Sequence, residues 1–386
     1  MSSQNVTIVK NIPSPVNIRA YIMKKNILSI HYIRGISALM VVLFHFRGVL
    51  NDVYAQKDLG NILFRWGEIG VDAFFIISGF IICLSTKNKT PAKEFVLKRF
   101  FRIYPAYILF VAFSICVAYK TSPASMTDII NALLILPLDY SKGGPFFGYS
   151  YLTVAWSLFY EISFYLIYML SMIISHKYRG LICSGMIAAL VFIPQLLESG
   201  TISLNPISQS KFETLLYLNI LTSPMMLTFI AGIAIYEAIP ILRFVSLHFS
   251  EWAIRILFYS GISFFIYCFL TGFNSWHGIT NSVLFILPAI TFAILYEMKI
   301  GVSENKPLTF LGDISYSLYL SHLIVLSILN NYGGEFYSLS HGFSKMFILV
   351  SSSLILSYLA YNVIEKPSTK LCRKLLSYRP RFNALT

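Results

Sequence analysis

Charge is scarce in this chain: 12% of its 386 residues are Asp, Glu, Lys or Arg, against 56% hydrophobic residues and a mean hydropathy of +0.68. That excess of apolar residues exceeds what a soluble domain of this length needs and reads as a polytopic membrane protein. Cysteine is equally sparse, five residues scattered one per segment with no CxxC and no paired Cys/His spacing, so the sequence suggests neither a disulfide framework nor a metal site. Walker loops, GxGxxG, HExxH and GxSxG are all missing, which leaves nucleotide hydrolysis and a serine-elbow hydrolase without support. The net charge of +13 does not fall in a basic run with interleaved aromatics, so nucleic acid is not an expected partner. The first 29 residues are polar and carry Pro13, Pro15, Lys24 and Lys25, with no secretory cleavage pattern.

What is abundant is long apolar runs. A hydrocarbon core about 30 Å thick takes roughly 20 residues of helix, and that rule places ten spans, near 30–50, 67–86, 103–120, 151–175, 180–197, 214–236, 252–271, 279–298, 312–331 and 343–364. The run 129–138 is too short to cross and reads as interfacial or re-entrant. Ten spans put both termini on one side. Of the 30 Lys and Arg, 23 fall on that side and 7 on the other, which makes it the cytoplasmic side. The expected organisation is an all-α transmembrane bundle over 30–367, with a cytoplasmic tail at 1–29 and a basic cytoplasmic tail at 368–386.

Ionisable groups inside such spans cost about 2.5–3.5 kcal/mol each on insertion scales and are functional candidates by default. They are Arg34, His45, Asp72, Glu161 and His322. Arg34 and His45 in IRGISALMVVLFHF are eleven residues apart, so they share one helix face and stand about 16 Å apart along the axis. Arg99 and Arg102, one turn apart at the start of a span, can meet a phosphate with bidentate hydrogen bonds. Asp72 begins the second span, where Arg65 or Arg47 could pair with it. Glu161 in WSLFYEISFYL lies well inside its span and calls for a cation, a proton or a polar substrate. Tyr316, Tyr319 and His322 in SYSLYLSHLIV form a stripe of hydroxyls ending in an imidazole, on the acceptor side or as a structural ladder.

In this order and over about residues 29 to 367, these elements resemble the membrane acyltransferase 3 family, the integral-membrane O-acyltransferases of bacterial surface polysaccharides. The matching elements are Arg34 with His45, GVDAFFIISGF with Asp72, the Arg99 and Arg102 pair, WSLFYEISFYL with Glu161, SYSLYLSHL with His322, and the closing NVIEKP with Glu365 and Pro367. Many members carry Asp-Gly shortly before the first Arg where this chain has His31 and Tyr32, and Ser321 replaces an aromatic residue. The appended extracytoplasmic esterase-like domain of some relatives is not expected. The resemblance implies a cytoplasmic acyl-CoA donor, most often acetyl-CoA, as co-substrate without a permanently bound cofactor. It implies a carbohydrate acceptor, lipid-linked or not, such as O-antigen, capsule or exopolysaccharide, and a place in the bacterial inner membrane. Arg34, Arg99 and Arg102 are then the expected donor-binding residues. His45 is the expected general base or acylated nucleophile, with Glu161 orienting it and Asp72 in the catalytic set. A transporter or flippase for a glycan is the competing reading, since intramembrane Asp, Glu and His also build proton relays.

Overall fold

A computed structural model of the chain describes residues 27–118, 125–139, 142–208 and 210–377. Among these residues the regular structure is entirely helical. The helices are α1 (Leu28–Phe46), α2 (Leu59–Phe64), α3 (Gly70–Ser85), α4 (Ala92–Ala118), α5 (Met126–Leu133), α6 (Trp156–Ile174), α7 (Arg179–Ser199) and α8 (Leu218–Leu221). They continue as α9 (Leu227–Glu237), α10 (Ile239–His248), α11 (Glu251–Thr271), α12 (Val283–Lys299), α13 (Lys306–Tyr332), α14 (Gly334–Ser338), α15 (Gly342–Ala360) and α16 (Lys366–Ser377). The tail expected at 1–29 lies outside the described residues as far as 26. The C-terminal tail expected from 368 is helical to Ser377, and the rest lies outside them.

Among the described residues eight helices are long and apolar enough to cross a membrane, and α9 with α10, bent by 47° where one meets the other, makes a ninth if counted as one crossing. All ten expected segments contain helix, but α12 has 17 residues with Pro288 inside it, about 26 Å of rise against a core of about 30 Å. The apolar run is longer than the helix because loop residues 279–282 extend it in sequence without joining the helix. The short run near 129–138 forms α5, only 8 residues.

Depth of burial sorts the bundle. Of the best apolar window, 72% is buried for the span ending in α3 and 61% for those of α6 and α13, against 17% for α11. Asp72, Glu161, Tyr316, Tyr319 and His322 lie on these interior helices, while Arg34 and His45 come from α1 (39%) and Arg99 and Arg102 from α4 (28%). Small residues permit this closeness. A Cβ on Gly35 would stand 2.6 Å from the backbone nitrogen of Gly312, so α1 and α13 meet backbone to backbone there. A Cβ on Gly232 would sit 1.9 Å from the Ile76 carbonyl oxygen, which joins α3 to α9 in the same way. Polar groups fix the ends. The buried Glu297 carboxylate at the close of α12 accepts hydrogen bonds from the backbone N–H of Leu28 at 2.9 Å and of Ser29 at 2.7 Å, capping the start of α1.

Candidate active site

The crossing of α1 and α13 brings the first two candidates onto one partner helix. Arg34 donates from Nη2 to the Gly312 carbonyl at 2.7 Å and lies 3.4 Å from His31 Nδ1; His31 in turn is 3.3 Å from Asp313. The residue standing where relatives carry an acid thus reaches a carboxylate on the neighbouring helix. Further along the two helices, His45 meets His322 with ring centroids 4.9 Å apart.

The protons of this pair follow from its partners. His45 Nδ1 faces the Val41 carbonyl at 2.9 Å, and His322 Nδ1 faces the Leu318 carbonyl at 3.1 Å. A carbonyl oxygen only accepts, so each Nδ1 carries the hydrogen. His322 Nε2 is then a lone pair, 3.1 Å from His45 Nδ1, and shares that hydrogen with Val41. Nε2 of the half-buried His45 keeps a lone pair with no hydrogen-bond partner among the described residues. The backbone and His322 orient the catalytic candidate. Glu161, expected to do so, accepts instead from Ser78 Oγ at 3.1 Å and from the Tyr165 hydroxyl.

Glu161 belongs to a cavity of about 120 Å³ between α1, α3, α4, α6 and α13, which also exposes Arg34, Arg99, Arg102, Tyr316 and Tyr319. Six of the nine residues proposed from sequence thus line one space. Beside it opens a vestibule of about 640 Å³, and Arg34, Ile81 and Arg102 border both. Its wall is basic: His31, Lys87, Lys366, Lys370 and Arg373 join the two arginines, against the carboxylates of Asp313 and Glu365.

The arginines are held individually. Arg102 donates to Glu365 at 2.6 Å, and Glu365 also accepts from the backbone N–H of Ser317 at 3.1 Å and from its hydroxyl. A single π-helical turn, Tyr361–Glu365, between α15 and α16 carries this buried carboxylate. Arg99 donates to Ser85 Oγ at 3.3 Å with its guanidinium 5.7 Å from the ring of Tyr165. The Nε groups of Arg34 and Arg99 are buried with no partner among the described residues, donors left over for a ligand. Tyr316 and Tyr319 turn ring surface to the cavity while their hydroxyls are used elsewhere: Tyr316 donates to the Ile103 carbonyl at 3.0 Å, and Tyr319 contacts the Val154 carbonyl at 2.9 Å and Ser157 Oγ at 2.8 Å.

Asp72 stands apart. It lines neither space, and neither Arg65 nor Arg47 pairs with it. Fully buried, it accepts from His277 Nδ1 at 2.6 Å and from the Gly278 N–H at 2.9 Å, fastening the loop between α11 and α12 to the start of α3. Expected in the catalytic set, it pairs here with His277, outside the cavity that six of the other candidates line. Burial disfavours the imidazolium of His277, but the Asp72 carboxylate and the hydrogen bond to it outweigh burial, with a further contribution from Glu68, and raise its pKa above the ordinary imidazole value. His277, Glu297 and the pairing of Glu365 had no signal in spacing, because each joins elements more than forty residues apart in the chain.

Comparison with known proteins places the whole chain rather than its individual residues. A family model described as an acyltransferase domain matches residues 27–362. The exopolysaccharide production protein ExoZ of Rhizobium meliloti is 26% identical over 324 residues, 79% of this chain and 90% of that protein. The O-acetyltransferase OatA of Staphylococcus aureus is 25% identical over 373 residues, 86% of this chain but 58% of that protein, so the chain spans little more than half of its length. Acyltransferase MdmB of Streptomyces mycarofaciens is 26% identical over 143 residues, 35% of this chain and 36% of that protein. No solved structure matches.

Proposed function

Because the chain belongs to the membrane acyltransferase 3 family, we propose that it is an O-acetyltransferase of the bacterial inner membrane that moves an acetyl group from cytoplasmic acetyl-CoA to a sugar hydroxyl of a cell-surface glycan. Both termini and the basic vestibule face the cytoplasm in this reading. The observation that carries it is the order of groups along α1. Arg34 opens on a basic vestibule large enough for the phosphate-bearing half of the donor, and His45, about 16 Å further along the axis, presents a free Nε2. Arg34, Arg99 and Arg102 hold the donor at the narrowing with charge-assisted hydrogen bonds, and the acyl arm runs inward through the cavity.

At its far end His45 Nε2 takes the proton of the acceptor hydroxyl as the oxygen attacks the thioester carbonyl. The tetrahedral intermediate collapses with loss of the CoA thiolate, which takes up that proton. His45 becomes an imidazolium during this step, and its Nδ1–H then bonds more strongly to His322 Nε2, spreading the charge. The same lone pair would accept the acyl group in a two-step route through acyl-His45.

The test supplies labelled acetyl-CoA to one face of proteoliposomes holding the protein and the acceptor glycan. Label on the glycan is the expected result; movement of unmodified glycan without label would replace this reading with transport. Arg99→Ala with Arg102→Ala raises the acetyl-CoA concentration needed for half-maximal rate by about tenfold or more, the size of one or two lost charge-assisted bonds. An unchanged requirement returns the pair to a topological role.

A further inference from the structure

Three helices give the inner cavity a common depth scale. At its shallow end it shares Arg34, Ile81 and Arg102 with the vestibule. Deeper, α3 supplies Ser78 and then Phe75 and Phe74, α6 supplies Glu161 and then Leu158 and Ser157, and α13 supplies Ser315 and Tyr316 and then Tyr319. Neither His45 nor His322 lines it; His322 follows Tyr319 by one turn on α13, with ring centroids 6.2 Å apart. The space therefore narrows at its deep end, and the His pair lies one turn beyond the narrowing.

Two rings form it, Phe74 against Tyr319 with centroids 5.5 Å apart. Tyr319 is fixed, its hydroxyl in contact with the Val154 carbonyl and Ser157. Phe75 is also immobile, packed on Tyr160 and on Phe229. Phe74 is half-buried, has Tyr319 as its one ring neighbour among the described residues, and borders two apolar clusters, one around the cavity and one containing Val42 and Phe46 beside the His pair. Phe74 can vary without disturbing the hydrogen bonds of Tyr319 or the ring packing of Phe75. The volume it closes is small. About 120 Å³ is less than the cavity of about 150 Å³ that admits a benzene ring in a well-studied case.

We propose that Phe74 sets the length of the transferred acyl group, its ring leaving room beside it for a two-carbon acyl thioester whose carbonyl reaches His45. The assignment rests on the acyl-transfer reading above and names the donor class within it. A closed apolar wall discriminates by about 10- to 200-fold per added methylene.

The experiment measures initial rates of acyl transfer to glycan in proteoliposomes with acetyl-, propionyl- and butyryl-CoA, for the wild type, Phe74→Ala and Phe74→Leu. The wild type favours acetyl over butyryl by at least about tenfold. Phe74→Ala raises the butyryl-to-acetyl rate ratio by at least about tenfold, and Phe74→Leu, which keeps an apolar side chain and guards against a folding defect, raises it by less. Equal wild-type rates for the three donors, or an unchanged ratio in Phe74→Leu and in folded Phe74→Ala, overturns the assignment and leaves acyl transfer standing. Absence of transfer from every thioester by the wild type overturns the proposed function, and the assignment with it.

Discussion

Glu365 offers the sharpest energetic test of how the vestibule is built. Its carboxylate is 1% exposed and accepts from Arg102 at 2.6 Å, from the Ser317 N–H at 3.1 Å and from the Ser317 hydroxyl. Glu365→Ala removes all three at once. Breaking a fully buried ion pair by deleting one partner costs about 3–5 kcal/mol. The Arg102 side chain is 31% exposed, so water reaches part of the orphaned guanidinium and the lower end applies, about 3 kcal/mol. At about 2 °C per kcal/mol for a large chain, the thermal midpoint in detergent falls by about 6 °C. Function responds separately, because Arg102 is no longer aimed at the cavity: the acetyl-CoA concentration for half-maximal rate rises by about tenfold, one charge-assisted bond. Glu365→Gln keeps an oxygen acceptor in place and recovers part of both. A Glu365→Ala protein with wild-type melting and wild-type donor requirement would refute the claim that this carboxylate holds Arg102.

Two further outcomes follow from polar contacts at the bundle ends. Glu297→Gln leaves one amide oxygen for the two N–H groups of Leu28 and Ser29 and removes the charge at the start of α1, lowering stability by about 1–2 kcal/mol; an unchanged thermal midpoint would show that the cap contributes nothing. The pKa of His277 is raised in the folded state, so its pairing with Asp72 contributes in full below the unfolded imidazole value, about 6.5, and is lost as pH rises through the folded value. Melting temperature between pH 6 and 9 should therefore fall more steeply in the wild type than in His277→Gln, and equal slopes would count against the pair.

The share of this architecture that could be read from sequence divides by the range of the interaction. Arg34 and His45 lie on one helix, where a period of 3.6 residues fixes the shared face, and both do meet α13. Arg99 with Arg102, and Tyr316 with Tyr319, are likewise near neighbours in the chain, and each pair lines the same cavity. Partners across the bundle were not legible. Asp72 was matched to arginines nearby in the sequence, whereas its partner His277 comes from a loop 205 residues away. Glu161 was assigned to His45 because both are ionisable and deep, yet its bonds go to Ser78 and Tyr165. The span count shows the same limit: hydropathy measures apolar length, but where helix α12 starts depends on the loop that Asp72 holds.

The central claim is that His45 Nε2 is the group that takes the acceptor proton. It is tested most directly by transfer of labelled acetyl from acetyl-CoA to glycan in proteoliposomes loaded with equal amounts of wild type, His45→Ala and His322→Ala. General-base catalysis contributes about 10²- to 10⁴-fold, so His45→Ala should fall by at least about a hundredfold at unchanged acetyl-CoA requirement, with His322→Ala reduced but measurable. Wild-type transfer by folded His45→Ala would contradict the account.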